Sequence, residues 1–197
     1  MEIKKYKDAL ILPPVVPEDS PIWAEIIASF QDGVIFGGNM PAWFQLKIAE
    51  LGGATANYLA DPSFAETNAI PTAEAAIAIA ISSTSFTLNG ANIAILGNGR
   101  VGKALSARLA PFGANIAIND AENAAIIFNT IDSAPETLRA SIPDTAFVID
   151  IATNSGLTGD NIHRFPSLPS KYSPQTAAEI AQNTIDYMLE SEVRNEI

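Results

Sequence analysis

The stretch that most constrains this chain is AILGNGRVGKAL at residues 94–105, where an apolar run meets glycines at 97, 99 and 102 and then a basic, helix-forming segment. An apolar run of this length reads as a strand, and the segment behind it as a helix. A Gly-x-Gly-x-x-Gly pattern carries information only in that strand-turn-helix context. Gly97 then makes the tight turn, Gly99 lets a ligand approach the backbone, and Gly102 lets helix and strand pack closely. The free N–H groups at the helix start, those of Gly99, Arg100, Val101 and Gly102, form an anion site suited to the pyrophosphate of a dinucleotide. Arg100 adds a charge in the first turn.

The distribution of charge sharpens this reading. The chain of 197 residues has a formal charge of −11, and no Lys or Arg occurs from Asp8 to Leu46 or from Ile48 to Gly99. Arg100, Lys103 and Arg108 then arrive together behind the glycines, a local cationic patch on an acidic protein. Such a surface disfavours nucleic acid and anionic lipid as partners. With no cysteine and a single histidine, His163, sulfur-based zinc sites and multi-histidine metal sites are excluded and no metal is expected. A hydrophobic content of 48% belongs to a globular protein rather than a disordered one. No apolar run is long enough to span a membrane and no leader pattern is read at the start, so the expected location is the cytoplasm.

Along the chain, strands are expected at Asp8–Pro13, Gly33–Gly37 and Ala54–Ala60. Helices over about 21–31, capped by Ser20, and from Pro41 to Gly52-Gly53 separate them. This βαβαβ pattern predicts a small parallel sheet. Pro71–Ser85 mixes alternating isoleucines with many alanines; its alanine content favours a buried helix capped by Thr72. Further strands are expected at Asn92–Leu96, Ala114–Ile118, Ala124–Thr130 and Ala146–Ala152. A helix over Arg100–Ala110, a short one capped by Ser133 with Glu136, and a long one from Pro174 to about residue 191 complete the pattern.

Beyond the glycines, candidate residues follow from position. An acidic residue about twenty positions after the loop binds the adenine ribose. Asp120 stands there and favours NAD over NADP, because a carboxylate repels a 2′-phosphate. Asn129, Thr130, Asp150, Thr153 and Asn154 lie at strand carboxyl ends, where α/β sheets bind ligands. Thr72 and Glu74 lie at the start of the central helix. His163 reads as a surface or helix-end residue rather than a proton shuttle, and Trp23, Trp43 and Phe44 as core or a contact patch.

With these residues in hand, the chain resembles the A-subunit family of dipicolinate synthase from spore-forming bacteria. The densest match is PTAEAAIAIAISSTSFTLNGANIAILGNGRVG at 71–102, similar to the family's Pro-Thr-(Ala/Val)-Glu, inter-domain helix and Gly-x-Gly-Arg-x-Gly loop. Phe128–Ile131, Ile149–Ala152, the tail FPSLPSKYSPQTAAEI at 165–180, and the early ILPPV and GVIFGGN also match. The resemblance implies two Rossmann-like parallel-sheet lobes joined by a helix, with an NAD or NADP cofactor held between them. It also implies oxidation of a dihydropyridine dicarboxylate, a role in sporulation, and partnership with a flavoprotein-like B subunit. A homo-oligomer is expected. The expected division is a small N-terminal lobe at 1–70, a truncated dinucleotide-binding lobe at 71–172 and a bracing helix at 173–197.

Two departures from the family pattern stand out. Only Asn119–Asn123 separate the strands expected at 114–118 and 124–130, where the family has further helices and a strand. A parallel crossover needs about ten residues or more, so these two are expected to form a hairpin, or one of them not to be a strand. Either way the wall covering the adenine is missing or rebuilt. Second, the family's Ser-Arg-Pro-Gly-Gly segment is here Thr153-Asn154-Ser155-Gly156-Leu157, so Asn154 replaces an arginine suited to gripping a carboxylate. The nearest cations in sequence are Arg164 and Lys171, and Ser167 and Ser170 stand where the family tends to have glycines. The catalytic candidates are therefore Thr72, Glu74, Asn129, Asp150 and Asn154. A non-catalytic binding or assembly module on the same fold is the competing expectation.

Overall fold

The computed structural model describes residues 9–194. The chain divides into two compact units: one formed by residues up to Ala65 and from Glu179 onward, the other by Glu66–Ala178.

The first unit contains a three-stranded parallel sheet of order β1-β2-β3, with β1 at Ala9–Ile11, β2 at Val34–Gly37 and β3 at Ala54–Asn57. The helices α1 (Ile22–Ser29) and α2 (Ala42–Glu50) supply the crossovers. Successive strand residues face opposite ways. Ile35 accordingly packs with Trp23, Phe44 and Ile48 on one side, while Val34 and Phe36 pack with Tyr58, Phe64, Ile180 and Ile185 on the other. Trp23 and Phe44 meet at 4.6 Å between ring centres, whereas Trp43 is nearly half exposed. The buried Tyr58 hydroxyl donates to the Leu12 carbonyl, and burial pushes its pKa up to about 12.

The expected third strand stops early, because Asn57 turns the chain into a 3-10 turn over Tyr58–Ala60 by accepting from the Leu59 N–H. The long helix α3 then runs over Pro62–Ser83 and contributes to both units. It begins a full two turns before the expected start. Asp61 caps it by accepting from the N–H groups of Ser63 and Phe64. Pro62 occupies the position after the cap, where its missing N–H costs nothing. Thr72 is therefore not a cap. It lies inside the helix, its hydroxyl donating to the Asn68 carbonyl, and Pro71 is accommodated within the helix.

The second unit carries a five-stranded, all-parallel sheet of order β5-β4-β6-β7-β8. Its strands are β4 (Asn92–Leu96), β5 (Asn115–Ile118), β6 (Ile126–Asn129), β7 (Phe147–Asp150) and β8 (Ile162–Arg164). The helices are α4 (Arg100–Leu109), α5 (Glu136–Ala140), α6 (Leu168–Tyr172) and α7 (Pro174–Arg194), the last again contributing to both units. One sheet face packs Ile93, Ile95, Phe128 and Ile149 against α3, α4 and Leu168 of α6. The other packs Ala94, Leu96, Ile127 and Val148 against Ala121, Ala124, Ala134 and Leu157.

Three expectations are corrected here. β5 and β6 are both strands and both parallel, but they do not touch: β4 lies between them. The connection 119–125 need only recross β4, about 10 Å sideways, and return about 13 Å along a short strand. Residues 119–125, at about 3.5 Å each, reach that far without a helix. Ala121 and Ala124 are small enough to lie flat on the sheet and become buried there. Second, α5 is preceded by Pro135 without a side-chain cap, and Ser133 sits at φ +54 instead of capping. Third, His163 lies half-buried in the edge strand β8 with its ring stacked on Phe147 at 4.5 Å, so it is not a helix-end residue.

Candidate functional site

The order β5-β4-β6 makes the sheet reverse direction at β4. In open parallel sheets the crevice at the strand carboxyl ends beside such a reversal is where ligands bind. The glycine loop stands there. Gly97 directly follows β4 at φ +105, a conformation that favours glycine. A Cβ at Gly97 would lie 2.3 Å from the Thr130 hydroxyl oxygen. That hydroxyl donates to the Leu96 carbonyl at 2.8 Å, and the Thr130 N–H donates to the same carbonyl at 2.9 Å. The end of β6 thus locks the turn after β4. On the other side, Asn119 accepts from the Gly97 N–H at 2.8 Å through its side-chain oxygen.

The remaining two glycines differ in kind. A Cβ on Gly102 would meet the Gly97 carbonyl oxygen at 2.1 Å, so this glycine lets α4 press against its own entry turn. At Gly99 a Cβ would meet nothing within 4 Å, so packing within the protein does not require this glycine. It is extended, heads α4, and offers no side chain to cap the first turn. The N–H groups of a helix start are left for a ligand in such an arrangement.

Arg100 lies in that first turn, and its Nε is 3.3 Å from the Glu66 carboxylate of α3, both groups well exposed. Further along the same two helices, Arg108 meets Glu74 at 3.1 Å. Glu74 therefore sits beside residue 108 of α4, about 12 Å down the helix axis from Arg100. The structure thus separates Glu74 from the glycine loop. Glu66, absent from the residues expected at the site, pairs with Arg100 in the first turn of α4. The signal that would have found it is the helix start at residue 62, which a cap at Thr72 places too late.

The strand-end polar residues do gather. Asn129, fully buried, donates from Nδ2 to Asp150 Oδ1 at 2.8 Å, and Ser155 donates to Asp150 Oδ2. Arg164, beside Asp150 in the sheet register, brings its Nε within 3.4 Å of the same carboxylate oxygen and donates from Nη2 to the Thr153 carbonyl at 2.9 Å. Asn154 is exposed, and its N–H donates to Asp132 while its carbonyl accepts from the Ser133 N–H. Ser155 joins this cluster without having been expected in it, and of the two cations nearest position 154 in sequence, Arg164 is the one that joins it. Asp120 is exposed just past β5, accepts from the Glu122 N–H at 3.3 Å, and borders an open groove of about 590 Å³ with Asn92, Asn115 and Asn123. This groove runs from the connection after β5 toward Asn92 and Asn115, the first residues of β4 and β5. Ser167 adopts φ +58, a left-handed conformation at a position where the resembled family favours glycine. Among the described residues, no group of three or more His, Asp or Glu is placed to hold a metal, and no helix is long and apolar enough to cross a membrane.

No family model matches the chain. The A subunit of dipicolinate synthase from Bacillus subtilis (strain 168) is 26% identical over 191 residues, covering 79% of this chain and 64% of that protein. The chain thus spans 64% of the length of the curated relative it matches. The crystal structure of the same enzyme's A subunit from Bacillus halodurans superposes with a TM-score of 0.75 at 24% identity, covering 96% of this chain and 83% of that one. A transhydrogenase from Sinorhizobium meliloti follows the same fold at a TM-score of 0.68 and 15% identity, covering 94% of this chain and 74% of that one. In sequence and in its two parallel-sheet lobes, the chain is similar to the A subunit of dipicolinate synthase.

Proposed function

We propose that the Glu66–Ala178 unit binds a nicotinamide dinucleotide and that the protein is an NAD(P)-dependent oxidoreductase acting on a small dicarboxylate. The observation that carries this reading is the glycine loop at the sheet reversal. Two of its glycines are demanded by packing, and the third, Gly99, is demanded by nothing in the protein itself. A glycine that no neighbour requires, heading an uncapped helix, is what close approach of a pyrophosphate calls for.

In this reading the N–H groups of Gly99, Arg100, Val101 and Gly102 hold the pyrophosphate. Arg100, already restrained by Glu66, adds charge at the rim. Asp120 accepts from the adenine ribose and disfavours a 2′-phosphate, so NAD is preferred over NADP. Thr130 and Asn129 fix the floor of the site: the first braces the Gly97 turn, and the second holds Asp150 in place. A bound nicotinamide supplies hydride transfer, which asks of the protein orientation rather than acid–base power. The similarity to the dipicolinate synthase A subunit points to a dihydropyridine dicarboxylate or a related small acid as the hydride donor. It also points to partnership with a flavoprotein-like B subunit, a role in sporulation and a cytoplasmic location.

A second reading is a non-catalytic binding or assembly module. The short connection 119–125 favours it, because the adenine face borders an open groove, and so does Asn154 at the family's arginine position. Titrating the protein with NADH and NADPH by fluorescence tests the dinucleotide site, and an assay of dihydropyridine dicarboxylate oxidation separates the two readings. Saturable binding that the Gly99→Val variant abolishes supports the dinucleotide site. Unchanged affinity in that variant sinks the placement.

A further inference from the structure

We propose that Arg164 is the anion anchor of this site, receiving a carboxylate of the small acid in place of the arginine that position 154 lacks. The inference rests on reading the glycine loop as a dinucleotide site.

A dicarboxylate approaching a chain of formal charge −11 needs a cation at the carboxyl edge of the sheet. The other arginines of the Glu66–Ala178 unit, and its lysines Lys103 and Lys171, stand on the helices α4, α5 and α6 rather than at the end of a sheet strand. Arg100 and Arg108 pair with Glu66 and Glu74 across α3 and α4, and Arg139 donates to the Ala134 carbonyl beside Glu136. Arg164 ends β8, at that carboxyl edge.

Asp150 is buried to 1% exposure, yet its carboxylate is fully furnished by Asn129, Ser155 and Arg164. Such a carboxylate fixes the arginine that meets it, as an outer-shell carboxylate orients a ligating side chain. The Thr153 carbonyl holds Arg164 at a second point. A guanidinium has five N–H donors, so this two-point hold leaves donors for a bidentate contact. The side chain remains 55% exposed, which keeps it open to a ligand.

Neighbouring strands lie about 4.8 Å apart, and β4 is three strands from β8, so Arg164 stands roughly 14 Å from the glycine loop. A dinucleotide with its pyrophosphate at the start of α4 and its nicotinamide half extended over β6 and β7 places the reacting ring beside β8. A purely structural arginine would balance Asp150 and do nothing else; an anchor additionally binds anions.

The test uses the full chain, with dipicolinate as the anionic probe and its neutral diamide as control, each titrated by calorimetry with and without NADH. In the Arg164→Gln variant we expect NADH affinity to stay at the wild-type value. Dipicolinate affinity should fall roughly ten- to a hundredfold, while the diamide binds both proteins alike. Arg164→Lys should recover part of the loss. Should Arg164→Gln fail to fold because Asp150 is left unpaired, the Asp150→Asn/Arg164→Gln double variant removes that charge and should show the same loss. Unchanged dipicolinate affinity in either variant overturns the anchor, as does absence of dipicolinate binding to the wild type. If neither NADH nor NADPH binds the wild type while dipicolinate affinity still depends on Arg164, the cofactor reading fails and the anchor stands.

Discussion

The Asn119 side chain accepts a hydrogen bond from the Gly97 N–H at 2.8 Å, joining the end of β5 to the first glycine of the loop. Asn119 does so from a left-handed backbone at φ +56. Asparagine tolerates that conformation better than most residues. Replacing it by alanine removes both the hydrogen bond and the tolerance; replacing it by glycine removes only the bond. The expected order of stability is wild type, then Asn119→Gly about 1 kcal/mol lower, then Asn119→Ala about 2 kcal/mol lower. Urea unfolding of the three proteins checks it, and an alanine variant as stable as the glycine one contradicts it.

The three glycines of the loop should respond differently to a single methyl group. Gly97→Ala meets the Thr130 oxygen at 2.3 Å from a positive φ, and Gly102→Ala meets the Gly97 carbonyl at 2.1 Å. Both should lose about 2 kcal/mol or more of stability. Gly99→Ala meets nothing and should leave stability within about 0.5 kcal/mol of the wild type. Its dinucleotide affinity should nonetheless fall, because the methyl group occupies the ligand's side. Parallel thermal unfolding and NADH titration of the set read out the contrast.

Cofactor choice turns on Asp120. The wild type should bind NADH more tightly than NADPH, because a ribose 2′-phosphate brought to an exposed carboxylate is repelled. Asp120→Ser should narrow or reverse the difference, chiefly by improving NADPH. Equal affinities in the wild type, unchanged by the substitution, would mean that Asp120 does not face the ribose.

Asp61 links the start of α3 to pH. The Ser63 hydroxyl, with the N–H groups of Ser63 and Phe64, holds its carboxyl below the ordinary value of 3.8. A depressed carboxylate adds stability above its unfolded pKa and loses it as pH falls through the folded one. Asp61→Ala should therefore destabilise the protein at pH 7 by about 1 kcal/mol, the usual worth of an N-cap. The gap between variant and wild type should narrow as pH falls below the ordinary carboxylate value of 3.8 and through the lower folded one. A gap that persists unchanged into acid would show that the carboxylate is not the capping group.

The sequence by itself determined the elements whose signals are local. β4 and the glycine turn were legible because apolar runs and glycine spacing report directly on backbone preference. The parallel three-stranded unit was legible because strand and helix periods alternate there. The start of α3 was not, since Asp61-Pro62-Ser63 competes with Pro71-Thr72 as a helix opening and only packing of Phe64 with Tyr58 and Ile185 favours the earlier one. Nor was the β5-β4-β6 order legible. A short connection forbids adjacent parallel strands but not strands on either side of a third, and choosing between these requires knowing that Ala121 and Ala124 lie buried on the sheet face. The same holds for Arg164. The sequence marks it only as one of two nearby cations, beside Lys171, and its partner Asp150 belongs to the neighbouring strand. Register, which is a property of the assembled sheet, brought the two together.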